Sequence, residues 1–405
     1  MTAPRQVAGQ RRALVAIAIS QLFVLALWFS TAAIVEPLEF AWQLTDSQTT
    51  YLALAVQLGF VVGALAFAVL GVVDIVPARR LFLLAALIGA VANGLLTTLG
   101  PPDVTKAIAL RFITGVALAG VYPSGLKAMA GWFQADRGMA LGVLVGALTV
   151  GSASPHLISG LGLNWQGVLL AASGLAVLGA LVMTVAVSDG PYETSRSRFE
   201  WNQIGTVTRN RGFRLATYGY LGHMWELYAM WTWTAAWLIA SADSGGVGDG
   251  WVPIATFATI AAGGVGAWLA GRSADRTGRT RVAGLSLAVS GSCAVVTPLL
   301  FGAPTYVVVP VFLLWGFAVV ADSAQFSTMV TEVASPEYRG TALTLQTALG
   351  FLLTLVTIRG VPLLAENWGW EWAFPLLAVG PAVGIVAMIA LRRSPYAAAI
   401  AGGRG

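Results

Sequence analysis

Apolar segments long enough to cross a lipid bilayer recur along almost the whole of this 405-residue chain. The hydrocarbon core of a bilayer is about 30 Å thick, so a helical crossing takes roughly 20 residues. Short polar stretches separate the apolar segments at intervals that suit twelve crossings. The sequence therefore predicts an all-α membrane protein with transmembrane helices at 13–35, 51–72, 81–100, 105–129, 139–162, 165–187, 213–240, 251–270, 282–302, 304–329, 341–364 and 371–391.

The composition excludes a soluble fold. Hydrophobic residues make up 57% of the chain and charged residues only 10%, whereas soluble domains carry about 25% charged residues. The single cysteine, Cys293, rules out an intrachain disulfide. Because the first apolar stretch is longer than the core of a secretory signal, we expect an uncut first helix.

Basic residues are concentrated in alternate loops. Lys106 is predicted on the outer side, and Arg111, Lys127 and Arg359 fall within predicted helices. By the positive-inside rule, we expect a multi-pass inner-membrane protein with both termini in the cytoplasm. The net charge of +5 then reflects topology, so we expect a lipid environment and no nucleic acid. The basic residues predicted to be cytoplasmic are Arg5, Arg11, Arg12, Arg79, Arg80, Arg137, Arg196, Arg198, Arg209, Arg211, Arg214, Arg272, Arg276, Arg279, Arg281, Arg339, Arg392, Arg393 and Arg404.

The two halves of the chain resemble each other. RGMAL at 137–141 recurs as RGTAL at 339–343, each time at the start of the fifth helix of its half. We predict two pseudo-symmetric six-helix bundles, at 1–187 and 213–405, joined by a cytoplasmic linker at 188–212. Such parallel repeats are typical of secondary transporters, which bind their solute between the repeats.

The loop after the eighth helix, GRSADRTGRTR at 271–281, resembles the G-x-x-x-D-R-x-G-R loop of the major facilitator superfamily. The resemblance implies the fold of that superfamily and a cytoplasmic clasp that favours the outward-open state. Asp275 can accept a hydrogen bond from the amino end of a neighbouring helix or from an arginine. The arginines can reach the facing half of the protein or lipid phosphates. The matching positions are Gly271, Asp275, Arg276, Gly278 and Arg279.

Two further segments bear on this resemblance. The first-half counterpart of the loop keeps Gly71, Asp74 and Arg80 but lacks the D-R pair and the second glycine. From the fourth helix onward, the chain is similar to the R-F-x-x-G…P…W-F…R-G-x-A pattern of the superfamily, with RFITG at 111–115 and RGMA at 137–140. This pattern is closest to branches that carry anions, such as the anion:cation symporters and nitrate/nitrite porters.

Two ionisable residues lie near the middle of the seventh helix. His223 and Glu226 are three residues apart and therefore share a helix face. Charged groups at this depth are costly, and their default interpretation is functional. We predict that Glu226 carries a proton, with His223 as its modulator, and that Tyr228, Trp231 and Trp233 line an amphipathic cavity. The alternative is a buried pair that only fixes helix packing.

The other ionisable residues within predicted helices have open alternatives. Asp322, near Gln325, is a second protonation site, a partner for a first-half cation, or part of a structural salt bridge. Arg111 attracts an anionic solute or pairs with a carboxylate; in the superfamily, the equivalent arginine is associated with proton coupling or solute binding. His156 follows Pro155 and either binds solute or is a satisfied core residue. Lys127 and Arg359 are expected to extend to the membrane surfaces.

Several other classes of protein find no support. A phosphate-cradling G-x-x-x-x-G-K-[ST] and a G-x-S-x-G do not occur, so we expect neither an ATP-driven pump nor an enzyme. Two histidines without cysteine or carboxylate clusters predict no metal site, and we expect no cofactor.

The leading hypothesis is a monomeric secondary transporter that couples proton movement to a small polar solute by alternating access, with uptake favoured over efflux. The solute is anionic in one version of this hypothesis. The alternative is a proton-driven efflux pump for drugs or hydrophobic metabolites. The 15 tryptophans support this alternative, because they could line an aromatic cavity. A transporter-like sensor would need an extended cytoplasmic segment, for which the sequence offers no candidate.

Overall fold

A computed structural model describes residues 9–133, 137–192 and 200–405. Arg5, Arg196 and Arg198, all predicted to be cytoplasmic, lie outside the described residues, as do the side chains of Asp74 and Arg137. Twelve membrane-spanning elements follow one another along the chain. They are α1 (Gln10–Leu25), α2 (Asp46–Val69), α3 (Ala78–Leu95), α4 (Val104–Trp132), α5 (Arg137–Ser159), α6 (Trp165–Ala186), α7 (Arg211–Ser244), α8 (Val252–Thr277), α9 (Arg279–Leu300), α10 (Thr305–Ala321, continued as Ser323–Val333), α11 (Arg339–Trp368) and α12 (Val379–Arg392).

Local sequence signals explain several of the helix starts. Thr45 and Gln48 form a reciprocal capping box at the start of α2. Asn210 accepts a hydrogen bond from the Phe213 backbone N–H at the start of α7, at 3.1 Å. Each of these side chains satisfies a backbone donor that has no partner within the helix.

Within the described residues, ten helices are long and apolar enough to cross a membrane. The other two spans are α7, which carries many polar residues, and α1, which is broken. A continuous first helix over 13–35 was predicted, but α1 ends at Leu25, and a turn separates it from a 3₁₀ segment at Ala32–Ile34 and a short helix at Val35–Trp42. The tenth span is likewise interrupted, at Asp322.

Large apolar side chains are exposed on the outside of the bundles, where they would contact lipid. Leu299 is 83% exposed and Val185 82% exposed. In a soluble protein, such residues would create a continuous apolar surface in water. The chain is therefore a multi-pass membrane protein.

The spans form two six-helix bundles with matching contacts between helices. In the first bundle, a Cβ atom added to Gly59 of α2 would lie 2.1 Å from the carbonyl oxygen of Phe112 on α4. A Cβ atom added to Gly115 of α4 would lie 2.0 Å from the carbonyl oxygen of Val56 on α2. In the second bundle, a Cβ atom added to Gly266 of α8 would lie 2.0 Å from a carbonyl oxygen of α10. A Cβ atom added to Gly316 of α10 would lie 1.7 Å from a carbonyl oxygen of α8. Glycine is required at these four positions because two helix backbones meet there.

The two bundles meet along two pairs of helices. α5 packs against α8, and α2 packs against α11. We call the end of the molecule with the short helix Ile204–Arg209 and the α8–α9 turn the linker face. The other end, which carries Val35–Trp42, is the opposite face.

Candidate functional site

The loop that resembles the superfamily clasp forms a polar network at the linker face. The Arg279 guanidinium lies 2.8 Å from the Asp275 carboxylate, donates to both Glu332 carboxylate oxygens at 3.1 Å, and donates to the Gln325 amide oxygen at 3.2 Å. These partners all belong to the second bundle. The sequence analysis had instead placed the arginines against the facing half or lipid, and had grouped Gln325 with Asp322 as a candidate for the substrate or proton-coupling site.

Gly278 allows the sharp turn between α8 and α9. Its φ is +99°, in the left-handed region that favours glycine, and a Cβ would lie 2.6 Å from the Arg404 carbonyl oxygen. Arg276 is exposed and Gly271 is partly buried within α8. The folded-back segment near Arg404 thus packs directly against the clasp, and the Arg404 guanidinium donates to the Asp275 carbonyl oxygen at 2.7 Å.

The first-half counterpart is less regular, as its sequence suggested. Gly71 has a φ of +63° and precedes a single turn of helix at Val72–Ile75, whose Val73 carbonyl accepts a hydrogen bond from Lys127. Arg80 is exposed, and the Asp74 side chain lies outside the described part of the structure.

Arg111 is fully buried and holds the break in α1. Its guanidinium donates to the carbonyl oxygens of Leu27 at 3.0 Å and Trp28 at 2.6 Å, and to Ser30 Oγ and Asn93 Oδ1, both at 3.3 Å. These partners are neutral oxygens rather than the carboxylate that the sequence left as an alternative. A helix that ends inside a protein leaves carbonyl groups without partners, and Arg111 satisfies two of them.

Glu226 and His223 are both buried, but the structure gives them different partners. The two Glu226 carboxylate oxygens accept hydrogen bonds from Trp315 Nε1 at 2.6 Å and Ser290 Oγ at 2.8 Å. His223 Nδ1 lies 2.7 Å from Asp322 Oδ1, and its Nε2 lies 3.1 Å from Ser323 Oγ. The second bundle therefore holds two buried carboxyl groups: Glu226 has its polar partners on α9 and α10, and Asp322 has its partner, His223, on α7.

A cluster of six aromatic side chains, which we call the aromatic layer, joins the two bundles. Phe60 and Phe351 have ring centroids 4.5 Å apart, and Trp28 lies 5.5 Å from Tyr228 and 6.0 Å from Phe351. Its members are Trp28, Phe29, Phe60, Tyr228, Trp231 and Phe351.

The sequence analysis predicted that Tyr228 and Trp231 line a cavity; the structure packs them in the aromatic layer, whose other four members sequence reasoning missed. Trp28 and Phe29 lie in the unpredicted break of α1, and the polar pair Ser30 and Thr31 directly after them was a possible signal for it. Trp233, also anticipated, donates from its indole N–H to the Ile358 carbonyl oxygen at 2.9 Å.

Polar contacts between the bundles lie beside the aromatic layer and toward the opposite face. Gln57 accepts from the Trp28 indole N–H at 3.2 Å and donates to Thr354 Oγ1 at 2.8 Å. The Arg359 guanidinium lies 3.5 Å from the hydroxyl groups of Thr50 and Ser47. Beyond the layer, a narrow cleft lies between the bundles, lined by Thr31, Val35, Leu38, Thr49, Leu52 and Thr232 among others.

Twelve spans in two bundles, with buried carboxyl groups and a contact layer between them, define a membrane transporter. The sequence profile of the Major Facilitator Superfamily matches residues 17–321 and 246–405. The chain belongs to this superfamily of transporters.

Two solved structures are similar to this chain in fold. One is a bacterial homologue of the human lysosomal transporter Spinster, in an inward-facing and unoccupied conformation, with a TM-score of 0.70, 14% identity, and coverage of 95% of this chain and 94% of that one. The other is a point mutant of the nucleoside transporter NupG, with a TM-score of 0.68, 15% identity, and coverage of 94% of this chain and 99% of that one. No curated protein matches the chain.

Proposed function

We propose that this protein is a proton-coupled transporter in which Glu226 carries the proton. The observation that carries the proposal is the set of partners around its carboxyl group. Trp315 Nε1 donates to one oxygen in either protonation state, because an indole N–H can only donate. The other oxygen faces Ser290 Oγ, and a hydroxyl can donate or accept.

Ser290 makes protonation of Glu226 possible without the loss of a hydrogen bond. Its hydroxyl lies 2.8 Å from the Glu226 carboxyl group and 3.3 Å from the Leu287 carbonyl oxygen. When Glu226 is charged, the hydroxyl donates to it. When Glu226 is protonated, the carboxylic acid donates to Ser290 and the hydroxyl turns to Leu287. A group that only fixed helix packing would not need two such arrangements.

The coupling acts through movement of the bundles at 1–187 and 213–405 around the linker at 188–212. The aromatic layer and the Gln57–Thr354 contact close the path on the opposite face, and separation of the bundles there exposes the interior to that side. The His223–Asp322 pair, which joins α7 to the interruption of the tenth span, is a second candidate element for coupling in the same bundle. By the positive-inside rule, the linker face is cytoplasmic.

The proposal is tested in proteoliposomes with an imposed pH gradient, using a solute found by a thermal-shift screen of purified protein. In Glu226→Gln, we expect loss of gradient-driven accumulation but retention of solute exchange, since the neutral amide mimics a permanently protonated carboxyl group. Glu366→Gln is the control, because Glu366 is exposed. Unchanged coupling in Glu226→Gln would remove Glu226 from the mechanism.

A second candidate function is proton-driven export of hydrophobic compounds, and the aromatic layer favours it. Six aromatic side chains between the bundles offer a large apolar contact surface. Everted vesicles distinguish the two functions, because an exporter accumulates its solute in them when their interior is acidic.

A further inference from the structure

Among the described residues, α1, α4 and α5 hold five buried polar atoms of Gln21, two serines and a histidine that have no hydrogen-bond partner in the structure. They are both amide atoms of Gln21, the hydroxyl groups of Ser124 and Ser152, and Nε2 of His156. All four side chains are at most 1% exposed. Buried polar groups in proteins are nearly always hydrogen-bonded, since leaving one unpaired is costly. The polar groups of a bound solute would satisfy these atoms.

Helix contacts bring these groups into one region. A Cβ on Gly125, the neighbour of Ser124, would lie 2.3 Å from Gln21 Oε1. A Cβ on Gly151, the neighbour of Ser152, would lie 2.2 Å from the carbonyl oxygen of Leu22, which follows Gln21. Ser152 and His156 are one turn apart and share a face of α5. The segments of α1, α4 and α5 that carry these polar groups therefore meet at Gln21 and Leu22.

The groups that converge are neutral or only weakly basic. The two basic side chains of α4 have protein acceptors: Arg111 donates to oxygens at the α1 break, and Lys127 donates to the Val73 carbonyl. Of the Arg111 nitrogens, Nε has no partner, but it belongs to a guanidinium whose two terminal nitrogens are both engaged. An anion buried beside amide and hydroxyl groups alone would be poorly compensated, whereas a neutral polar solute would be well matched.

A flat apolar surface completes the region. Trp28 and Phe29 of the aromatic layer follow Gln21 along the same span, and Tyr228 faces them from the second bundle at 5.5 Å and 6.3 Å between ring centroids. The Trp231 indole N–H in the same layer is also without a partner. Aromatic faces with a few polar groups are typical of sites for planar solutes.

We propose that the transported solute is neutral and planar, with several hydroxyl or amide groups, and that Gln21, Ser152 and His156 bind its polar edge. This inference rests on the proposed transport function and specifies the solute class. It argues against the anionic version of the sequence hypothesis.

Matched pairs of compounds test the charge preference on the purified full chain. Nicotinamide and nicotinate share a ring and differ in a neutral amide or a carboxylate; uridine and uridine monophosphate differ in a phosphate. We expect the neutral member of at least one pair to raise the melting temperature and its anionic partner to have no effect. Binding in detergent needs no proton gradient, so this result does not depend on whether Glu226 couples transport.

Substitutions test the site itself. Gln21→Leu and Ser152→Ala should abolish the ligand-induced shift, while the melting temperature without ligand stays the same or rises, because each removes an unpaired polar group. Ser173→Ala is the matched control, because Ser173 Oγ accepts from Asn93 at 3.1 Å. That control should lower the melting temperature and keep the ligand shift.

Three results would overturn the proposal. They are a preference for the anionic member of a pair, no shift with any of the four compounds, and a ligand shift that survives both Gln21→Leu and Ser152→Ala.

Discussion

Arg111 shows how a single buried cation determines local backbone structure. Its bonds to the Leu27 and Trp28 carbonyl oxygens hold the chain in the turn that follows α1. Trp28 then projects into the aromatic layer, where it contacts Phe60 and Tyr228. Arg111 is therefore a positioning residue for the contact between the bundles.

Removal of the Arg111 guanidinium should destabilise the protein. In Arg111→Leu, the Trp28 carbonyl loses its side-chain donor and the Leu27 carbonyl keeps only Ser30 Oγ. A buried group left unpaired costs about 1–3 kcal/mol. Thermal unfolding in detergent measures the effect. Arg359→Leu is the control and should cost less than about 1 kcal/mol, because its hydroxyl contacts at 3.5 Å are at the limit of hydrogen bonding. Equal losses in the two variants would contradict the assigned role of Arg111.

Replacing either of two glycines of the clasp loop by alanine should change the stability of the protein in opposite directions. Gly278→Ala forces a non-glycine residue to a φ of +99° and places Cβ against the Arg404 carbonyl, so we expect a loss of about 1–3 kcal/mol. Gly271→Ala lies within α8 with open space around the new Cβ, and should gain about 0.5–1 kcal/mol from helix propensity. Melting temperatures compare the two, and a stable Gly278→Ala would show that the turn relaxes.

At the scale of elements, α2 and α11 hold the two bundles in contact. The hydrogen bond from Gln57 to Thr354 crosses it, and Phe60 packs against Phe351 directly beside it. An alternating-access mechanism requires these two helices to separate at this point.

A covalent link between α2 and α11 should therefore stop transport. In a Cys293→Ala background, Gln57→Cys with Thr354→Cys, joined by a short bifunctional thiol reagent, is expected to abolish solute flux, and a cleavable reagent should allow recovery on reduction. Gly94→Cys with Ser173→Cys is the control within one bundle, since a Cβ on Gly94 would lie 3.8 Å from that of Ser173. Flux that persists after complete cross-linking of α2 to α11 would exclude movement at this contact.

At the scale of the whole molecule, we expect the basic residues to set the orientation in the membrane. The clasp arginines and the α12 end at Arg392 lie on the linker face, which the positive-inside rule assigns to the cytoplasm.

Labelling of intact cells tests this orientation. In a Cys293→Ala background, Gly248→Cys lies in an exposed loop of the opposite face, and Ala399→Cys is exposed on the linker face. A membrane-impermeant maleimide should label Gly248→Cys from outside, and Ala399→Cys only after permeabilisation. The reverse pattern would invert the topology.

The helix spans could be predicted from the sequence because each depends on a local property, the length of an apolar stretch. The superfamily motif at 271–281 could also be recognised from the sequence, because its residues are contiguous. The partners of the buried groups were not: His223 shares a helix face with Glu226, but its nearest carboxylate, Asp322, lies about a hundred residues away on another helix.

The sequence by itself thus determined twelve spans, two related halves and which ionisable residues lie within the membrane, because hydropathy and repeat patterns are properties of neighbouring residues. Only the tertiary structure decided that α1 breaks, that Arg111 holds the break, that Gln325 belongs to the clasp, and that aromatic side chains of both bundles form one layer. The reason is physical. In a lipid environment most helices are apolar on every side, so periodicity does not mark the inner face, and contacts between distant helices depend on how closely their backbones pack.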